Sequence, residues 1–241
     1  MGRAVEEAAT ARGHEIAARL NEGWAESEIP TDTDLVIEFT RPSDAEENIL
    51  RLLDLGLPVV SGTTGWLETG WDKVVKDVEA KEGTLFYASN YSIGVYLFRE
   101  LVRKLAVRLG DFPAFSQVSM EEVHHIHKLD YPSGTALTIA REDILSHFPG
   151  KKEVRSYLSP DPAPDLGDKA GETLLIRSVR EGEKAGTHSV EFLSPGVEAI
   201  RLEHESLGRT SLAAGVVLAA EFVLGKKGLF GMQDLMNHSQ A

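Results

Sequence analysis

Asp34-Leu35-Val36-Ile37-Glu38-Phe39-Thr40 is a β-branched, apolar run with polar ends, the composition of a strand buried in a parallel sheet. Its surroundings repeat the theme. Ser43 and Glu46 form a capping-box pattern that predicts a helix through Leu55, with Gly56 at the position after its end. Leu57 to Gly62 is a second buried strand, residues 68–81 an amphipathic helix, and Thr84 to Ser89 a third strand. Upstream, residues 4–12 read as a helix ending at Gly13, and Glu15 to Leu20 as a strand. Strands alternating with helices across short connections specify a Rossmann-like α/β unit, a parallel sheet with helices on both faces.

After residue 93 the pattern changes. A long helix fills roughly 93–109, Ala114 to His124 reads as a strand, and a helix runs from Gly134 to His147. Residues 149–171 are rich in Pro, Gly and Asp and read as an excursion loop. Strands follow at about 173–180, 186–193 and 198–206. Turn signals at Glu181-Gly182-Glu183 and Pro195-Gly196 predict antiparallel hairpins. An apolar helix over 210–224 and a short tail complete the chain. The second unit is therefore expected to be an α+β domain on an antiparallel sheet.

The start is unusual for this architecture. An open α/β sheet begins with a strand and a glycine-rich turn that sets backbone amides against a pyrophosphate. Here Met1-Gly2-Arg3 leads straight into a helix. The expectation is a missing first strand and a misplaced start, Met1 being an internal methionine that roughly a dozen residues would precede, enough for one strand and its turn.

Composition narrows the function. The 241 residues are 42% hydrophobic and 26% charged, ordinary for a globular protein. No apolar run reaches the length of a membrane span, and Arg3, Glu6 and Glu7 interrupt any signal-peptide core. The chain has no cysteine, which removes thiolate chemistry and fits a reducing cytoplasm. A net charge of −13 opposes nucleic-acid binding. It does not oppose a small anion held by a few local cations.

Such cations occur together in His124-His125-Ile126-His127-Lys128-Leu129-Asp130-Tyr131-Pro132-Ser133-Gly134-Thr135. Imidazoles and an ammonium gather at a strand end, and Pro-Ser-Gly-Thr then opens a helix whose free amides attract a carboxylate or phosphate. On an extended segment His125 and His127 share one face and His124 takes the other. Together they describe a pocket for a multiply anionic small molecule, with an imidazole to move a proton near neutral pH. Clustered histidines also suggest zinc. The adjacent ammonium and the lack of a second ligand cluster weigh against a hydrolytic zinc site, and no metal is expected.

The same stretch, His124-His125-x-His127-Lys128-x-Asp130-x-Pro132-Ser133-Gly134-Thr135-Ala136, resembles the signature of the dihydrodipicolinate reductases. The likeness extends along nearly the whole chain. Met1-Gly2-Arg3 is similar to the end of the family's nucleotide loop, and Glu38-Phe39-Thr40-Arg41-Pro42 resembles its D-F-T-x-P segment, with Glu for Asp. Gly62-Thr63-Thr64-Gly65 and Ser89-Asn90-Tyr91-Ser92-Ile93-Gly94 resemble the loops beside the nicotinamide. Arg180-x-Gly182-x-x-x-Gly186-x-His188 and Arg209 through Gly215 also fit.

The resemblance implies reduction of a cyclic dicarboxylate, 4-hydroxy-tetrahydrodipicolinate, by NADH or NADPH in lysine and diaminopimelate biosynthesis, in a cytoplasmic homotetramer. By resemblance His124 donates and accepts the proton and Lys128 is the second acid or carboxylate clamp. His125, Ser133, Gly134 and Thr135 hold the substrate. Met1, Gly62, Thr63, Thr64, Ser89, Asn90, Tyr91, Ser92 and Arg209 meet the cofactor. Residues 1–93 with 209–241 would form the dinucleotide-binding domain, and 94–208 the substrate-binding and oligomerisation domain. Asn21-Glu22 lies where an acid meets the ribose of NAD, while Arg19 is placed to favour a 2′-phosphate; the preference is not readable. A non-catalytic nucleotide-binding protein on this scaffold is the alternative, and the proton-transfer set argues against it.

Overall fold

The computed structural model describes residues 1–208 and 210–238. The chain forms two compact units, 1–93 with 209–241, and 94–208.

In the first unit, with elements numbered along the whole chain, α1 (Gly2–Ala11) precedes β1 (Val36–Glu38), α2 (Pro42–Asp54), β2 (Val59–Ser61), α3 (Leu67–Ala80) and β3 (Thr84–Tyr87). The chain later returns with α6 (Thr210–Val223), β9 (Gly228–Phe230) and α7 (Met232–His238). The sheet order is β1-β2-β3-β9, parallel throughout, with Val36 opposite Val59 and Val59 opposite Leu85. Alternation along each strand divides the apolar residues between the two faces. Val59 and Leu85 pack with Ile49 and Leu52 of α2 and Val74 and Val78 of α3. Phe86, one residue on, meets the Phe222 ring of α6 edge-on at 6.2 Å. Full burial of each such side chain contributes roughly 1.5–3 kcal/mol.

Several expectations change here. Residues 15–20 form no strand, because strand character needs a ladder partner and they pair with no other segment among the described residues. The Ser43–Glu46 capping box does not form: α2 starts at Pro42, whose fixed φ suits a first turn, and the Ser43 hydroxyl bonds Asp44 while Glu46 pairs with Lys73. Gly56 does take the left-handed conformation, φ 73°. The tail beyond α6 contains β9, which extends the sheet, and α7.

The second unit contains α4 (Ile93–Gly110), β4 (Gln117–His124), α5 (Gly134–Thr138), β5 (Glu153–Leu158), β6 (Thr173–Arg180), β7 (Gly186–Ser194) and β8 (Glu198–Ser206). Its sheet is mixed, in the order β5-β6-β4-β7-β8. The pairs β5·β6 and β4·β6 are parallel, and β4·β7 and β7·β8 antiparallel. Only the Pro195-Gly196 turn joins a hairpin. β4 lies between β6 and β7, so the turn at 181–183 links strands that do not pair. The excursion loop contains β5, an edge strand whose residues are mostly half-buried and whose sequence lacks a strong apolar face. The expected helix over 134–147 is two pieces: α5 runs without a break into a π-helix, Ile139–Leu145. One face of the sheet is covered by apolar residues of α4, α5 and the π-helix, with Val118, Met120, Ile176, Val190 and Phe192 in the core between them.

Candidate active site

Period-two alternation along β4 puts Val118, Met120, Glu122 and His124 on the buried face, so the last two extend the core's own row into polar chemistry. The register places Glu122 between Ser178 of β6 and His188 of β7. Glu122 is fully buried. Its oxygens accept the Ser133 amide at 3.1 and 3.0 Å and the Ser178 hydroxyl at 2.8 Å, with Arg180 Nη2 at 3.5 Å. His124 Nδ1 lies 3.4 Å from Glu122 Oε2, and His188 Nε2 lies 4.0 Å from it. The two imidazoles meet edge to face with centroids 5.3 Å apart.

Ser133 joins this row to the helix. Its hydroxyl oxygen accepts the Ala136 amide as the N-cap of α5 and shares a hydrogen bond with His188 Nε2 at 3.2 Å. The Gly134 and Thr135 amides bond no acceptor among the described residues. Gly134 is exposed, with nothing within 4 Å of where a side chain would begin.

Electrostatics follow from burial and neighbours. Burial pushes the His124 pKa below the usual imidazole value, Glu122 pulls it back up, and Lys128, Arg180 and His125 push it down. Burial alone would raise Glu122, but hydrogen bonds from Ser133 and Ser178 outweigh it and hold the carboxyl below its ordinary range. Burial first, then His124, pushes His188 down to about 4, so it is neutral at physiological pH.

The strand ends at His124, and residues 125–128 turn instead of continuing extended, with the Lys128 amide donating to the His125 carbonyl. His125 and His127 still share a side, rings 6.1 Å apart. Lys128 reaches both Asp130 oxygens at 2.8 Å, and Arg180 donates to the carbonyls of Lys128 (3.1 Å) and Asp130 (2.7 Å). Arg180 thus fixes the loop that carries the ammonium. His127 faces Glu183 on the surface.

Glu122, His124 and His188 offer ligand atoms within 4.8 Å of one another, a spacing that would also suit a cation. The carboxylate is already occupied by Ser133 and Ser178 donors, and Arg180 adds positive charge. The set is suited to proton handling. The sequence gives Glu122 no catalytic role on first reading and leaves His188 inside a motif; the overlooked signal was the i, i+2 spacing of Glu122 and His124.

In the first unit, Gly62-Thr63-Thr64 follows β2 and Ser89-Asn90-Tyr91-Ser92 follows β3, so both loops leave the carboxyl edge of a parallel sheet, where nucleotides bind in this architecture. Gly62 is needed for space: a Cβ there would lie 2.1 Å from the Phe39 ring. The Thr63 hydroxyl is spent on Glu38 (2.8 Å) and on the Thr40 amide (2.8 Å), and Glu38 also accepts the Ser61 hydroxyl at 2.5 Å and both donors of Thr40. Tyr91 is buried beneath its loop, its hydroxyl donating to the Ser61 carbonyl at 2.6 Å. These side chains shape the loops, while Thr64 and Ser89 are exposed, their amides bonding no acceptor among the described residues. That donor set fits the polar groups of a nicotinamide nucleotide. Met1 stands exposed before α1, Asn90 accepts the Ser92 amide, Arg19 pairs with Glu6 and Arg41 with Glu22. Arg209 lies outside the described residues.

Residues 1–91 match the sequence model described as dihydrodipicolinate reductase, N-terminus, and residues 94–236 the one described as dihydrodipicolinate reductase, C-terminus. A protein of Christiangramia forsetii named 4-hydroxy-tetrahydrodipicolinate reductase is 34% identical over 238 residues, 98% of this chain and 94% of the relative. One of the same name from Acinetobacter baumannii (strain AYE) is 32% identical over 211 residues, 87% of this chain and 74% of the relative. Among solved structures, a dipicolinate-bound dihydrodipicolinate reductase from Paenisporosarcina sp. TG-14 has the same fold: TM-score 0.73, 22% identity, covering 95% of this chain and 92% of that one.

Proposed function

The chain belongs to the dihydrodipicolinate reductase family, and from that premise we propose that it reduces 4-hydroxy-tetrahydrodipicolinate to tetrahydrodipicolinate with NADH or NADPH, releasing water, in lysine and diaminopimelate biosynthesis. The observation that carries the reading is the set at the end of β4. A buried imidazole, His124, shares its surroundings with a fixed ammonium, Lys128, and a helix start whose Gly134 and Thr135 amides are unspent.

When bound, the nicotinamide supplies the hydride. Its nucleotide is held by Gly62, Thr63, Thr64 and Ser89 to Ser92 at the carboxyl edge of the first sheet, with Arg209 and Met1 as further contacts. In the second unit the amides of Gly134 and Thr135 take one substrate carboxylate, and Lys128, exchanging Asp130 for substrate, takes the other with His125. Ser133 fixes the helix start through its cap. His124 gives the proton that completes reduction.

The direct test follows NADH and NADPH oxidation with freshly formed product of the preceding synthase. The unaltered chain turns over, while His124→Ala and Lys128→Ala each lose about 10²–10⁴-fold in kcat and keep their circular-dichroism spectrum. Near-normal turnover in either folded variant would falsify the assignment of that residue. Lys128→Arg does not restore activity, because a guanidinium is larger and a poor acid.

A homotetramer formed through the second unit's sheet is part of the same proposal. Ser119, Glu121, Arg177 and Glu191 lie on the sheet face opposite the helices and stay partly exposed. Light scattering is expected to give four copies. No described helix is long and apolar enough to cross a membrane, and the absence of cysteine suits work in the cytoplasm.

A further inference from the structure

His124 has two ring nitrogens in different surroundings. Nδ1 is buried and makes no hydrogen bond, and the carboxylate oxygen Glu122 Oε2 lies 3.4 Å from it. That gap exceeds a good N–H···O bond by about 0.3 Å, and such contacts tighten when a ligand closes the site. Nε2 points the other way, toward Gly186, where a side-chain carbon would begin 3.0 Å away. Glycine at 186 is what leaves Nε2 clear. His188 spends its own Nε2 on the Ser133 hydroxyl and meets the His124 ring edge to face.

An ionised carboxylate only accepts, so a nitrogen facing it must carry the hydrogen. We propose that Glu122 is a positioning residue that holds His124 as the Nδ1–H tautomer, leaving Nε2 as the atom that gives and takes the catalytic proton. The inference rests on the reading of His124 as the proton-transfer group and adds which atom acts and what sets it. In the step itself the ring starts as the imidazolium, with hydrogen on both nitrogens; the N–H bond at Nε2 breaks, its electron pair stays on nitrogen, the proton goes to substrate, the ring is left as the Nδ1–H tautomer, and Glu122 remains ionised. Ser133 and Ser178 hold the carboxylate still, so its direction is fixed before substrate arrives.

The groups that act on His124 are Glu122 of its own strand, His125 and Lys128 of the loop after it, Arg180 of β6 and His188 of β7; His204 of β8 in turn acts on His188. Glu122 is the one acid among them. Without it the remaining neighbours all disfavour the imidazolium, so His124 gives up its proton at lower pH.

The test uses the full chain with ¹⁵N-labelled histidine. In the unaltered protein the neutral His124 ring is expected to show Nδ1 protonated and Nε2 bare, and an Nε2–H ring overturns the proposal without any variant. In Glu122→Gln the amide oxygen keeps the Ser133 and Ser178 donors and the NH₂ turns to His124. The tautomer then flips, kcat falls about 10²–10⁴-fold, and the high-pH fall of the kcat profile moves to lower pH. Circular-dichroism spectra and urea unfolding of each variant serve as the folding control. Gly186→Ala keeps the Nδ1–H ring but loses turnover, because its methyl crowds Nε2. A folded Glu122→Gln protein with unchanged tautomer and pH profile sinks the inference while leaving the reductase reading intact. An active His124→Ala protein sinks the reading on which it rests.

Discussion

Glu38 ends β1 of the first unit, and Glu122 lies two residues before the end of β4 in the second. Both are buried, 4% and 0% exposed, and both gather hydroxyl and amide donors from neighbouring strands and loops. They differ in who shares the carboxylate. Around Glu38 the donors are Ser61, Thr63 and Thr40, none of which changes charge near neutral pH. The titratable neighbour Tyr87 is a phenol pushed further up by burial and by Glu38. Around Glu122 stand two imidazoles and a guanidinium. A buried carboxylate is in both cases a knot that ties strand ends together. It becomes part of proton chemistry only where a histidine is tied into the same knot.

The largest effect that sharpens this contrast is expected from Glu38→Ala, which strands the donors of Ser61, Thr63 and Thr40. The loss is about 3 kcal/mol in urea unfolding, together with weaker binding of reduced nucleotide. Glu38→Gln keeps most of the acceptor geometry and leaves the pH profile of kcat in place. If that profile moved as it does for Glu122→Gln, the distinction between the two knots would collapse. A smaller loss follows from Gly62→Ala, whose methyl collides with the Phe39 ring. About 2 kcal/mol is expected, much of it recovered when Phe39→Ala is added, since contacting sites are not additive. Additive losses from the two substitutions would show that Phe39 is not what requires glycine.

The smallest effect belongs to an acid with no buried partner. Glu221 of α6 is held down to about 2, chiefly by Arg12 and then by His14, from an ordinary 4.5. A carboxyl lowered on folding contributes its full stability above about pH 4.5 and loses it as the pH falls toward 2. Arg12 is 46% exposed, so water and salt discount the pair to at most about 1 kcal/mol. Glu221→Gln should therefore lower stability by at most about 1 kcal/mol at pH 7 and converge on the unaltered chain as the pH falls toward 2, flattening the acid end of the curve, as followed by thermal unfolding across pH.

The legible parts of the fold were those written by periodicity. β1, β2 and β3 are short but densely apolar, and α2, α3 and α4 carry regular apolar stripes, so each was placed to within a few residues. What escaped depended on partners distant in sequence. Residues 15–20 look like a strand, but an isolated segment cannot be one. β5 and β9 look like loop and tail, and they are strands because β6 and β3 offer them edges. The order β5-β6-β4-β7-β8 was hidden for the same reason, since turn chemistry at 181–183 reports a bend and not which strand lies beside the next. At the site, His124, Lys128 and Ser133–Thr135 were visible as one continuous stretch. Ser178, Arg180 and His188 come from other strands and reach it only through sheet register. Thr63 and Tyr91, expected as cofactor contacts, have their side chains turned to the loops' own support.

The helical segment that begins at Gly134 must answer two demands at once. At its start the Ser133 amide meets Glu122 while the Gly134 and Thr135 amides are left for an anion, and near its far end Asp143, 1% exposed, meets Arg99 of α4 at 2.7 Å. In a continuous α-helix each residue advances by 100°, so the azimuth of Asp143 would follow rigidly from that of Ser133. The wider π-turns from Ile139 to Leu145 accommodate extra residues without extra rotation, shifting the phase between the two ends. Winding the same residues as a regular α-helix would swing either the anion-facing amides or Asp143 by about a quarter-turn. The irregular stretch lets two fixed anchor points, set independently by the sheet and by α4, be served by one rod.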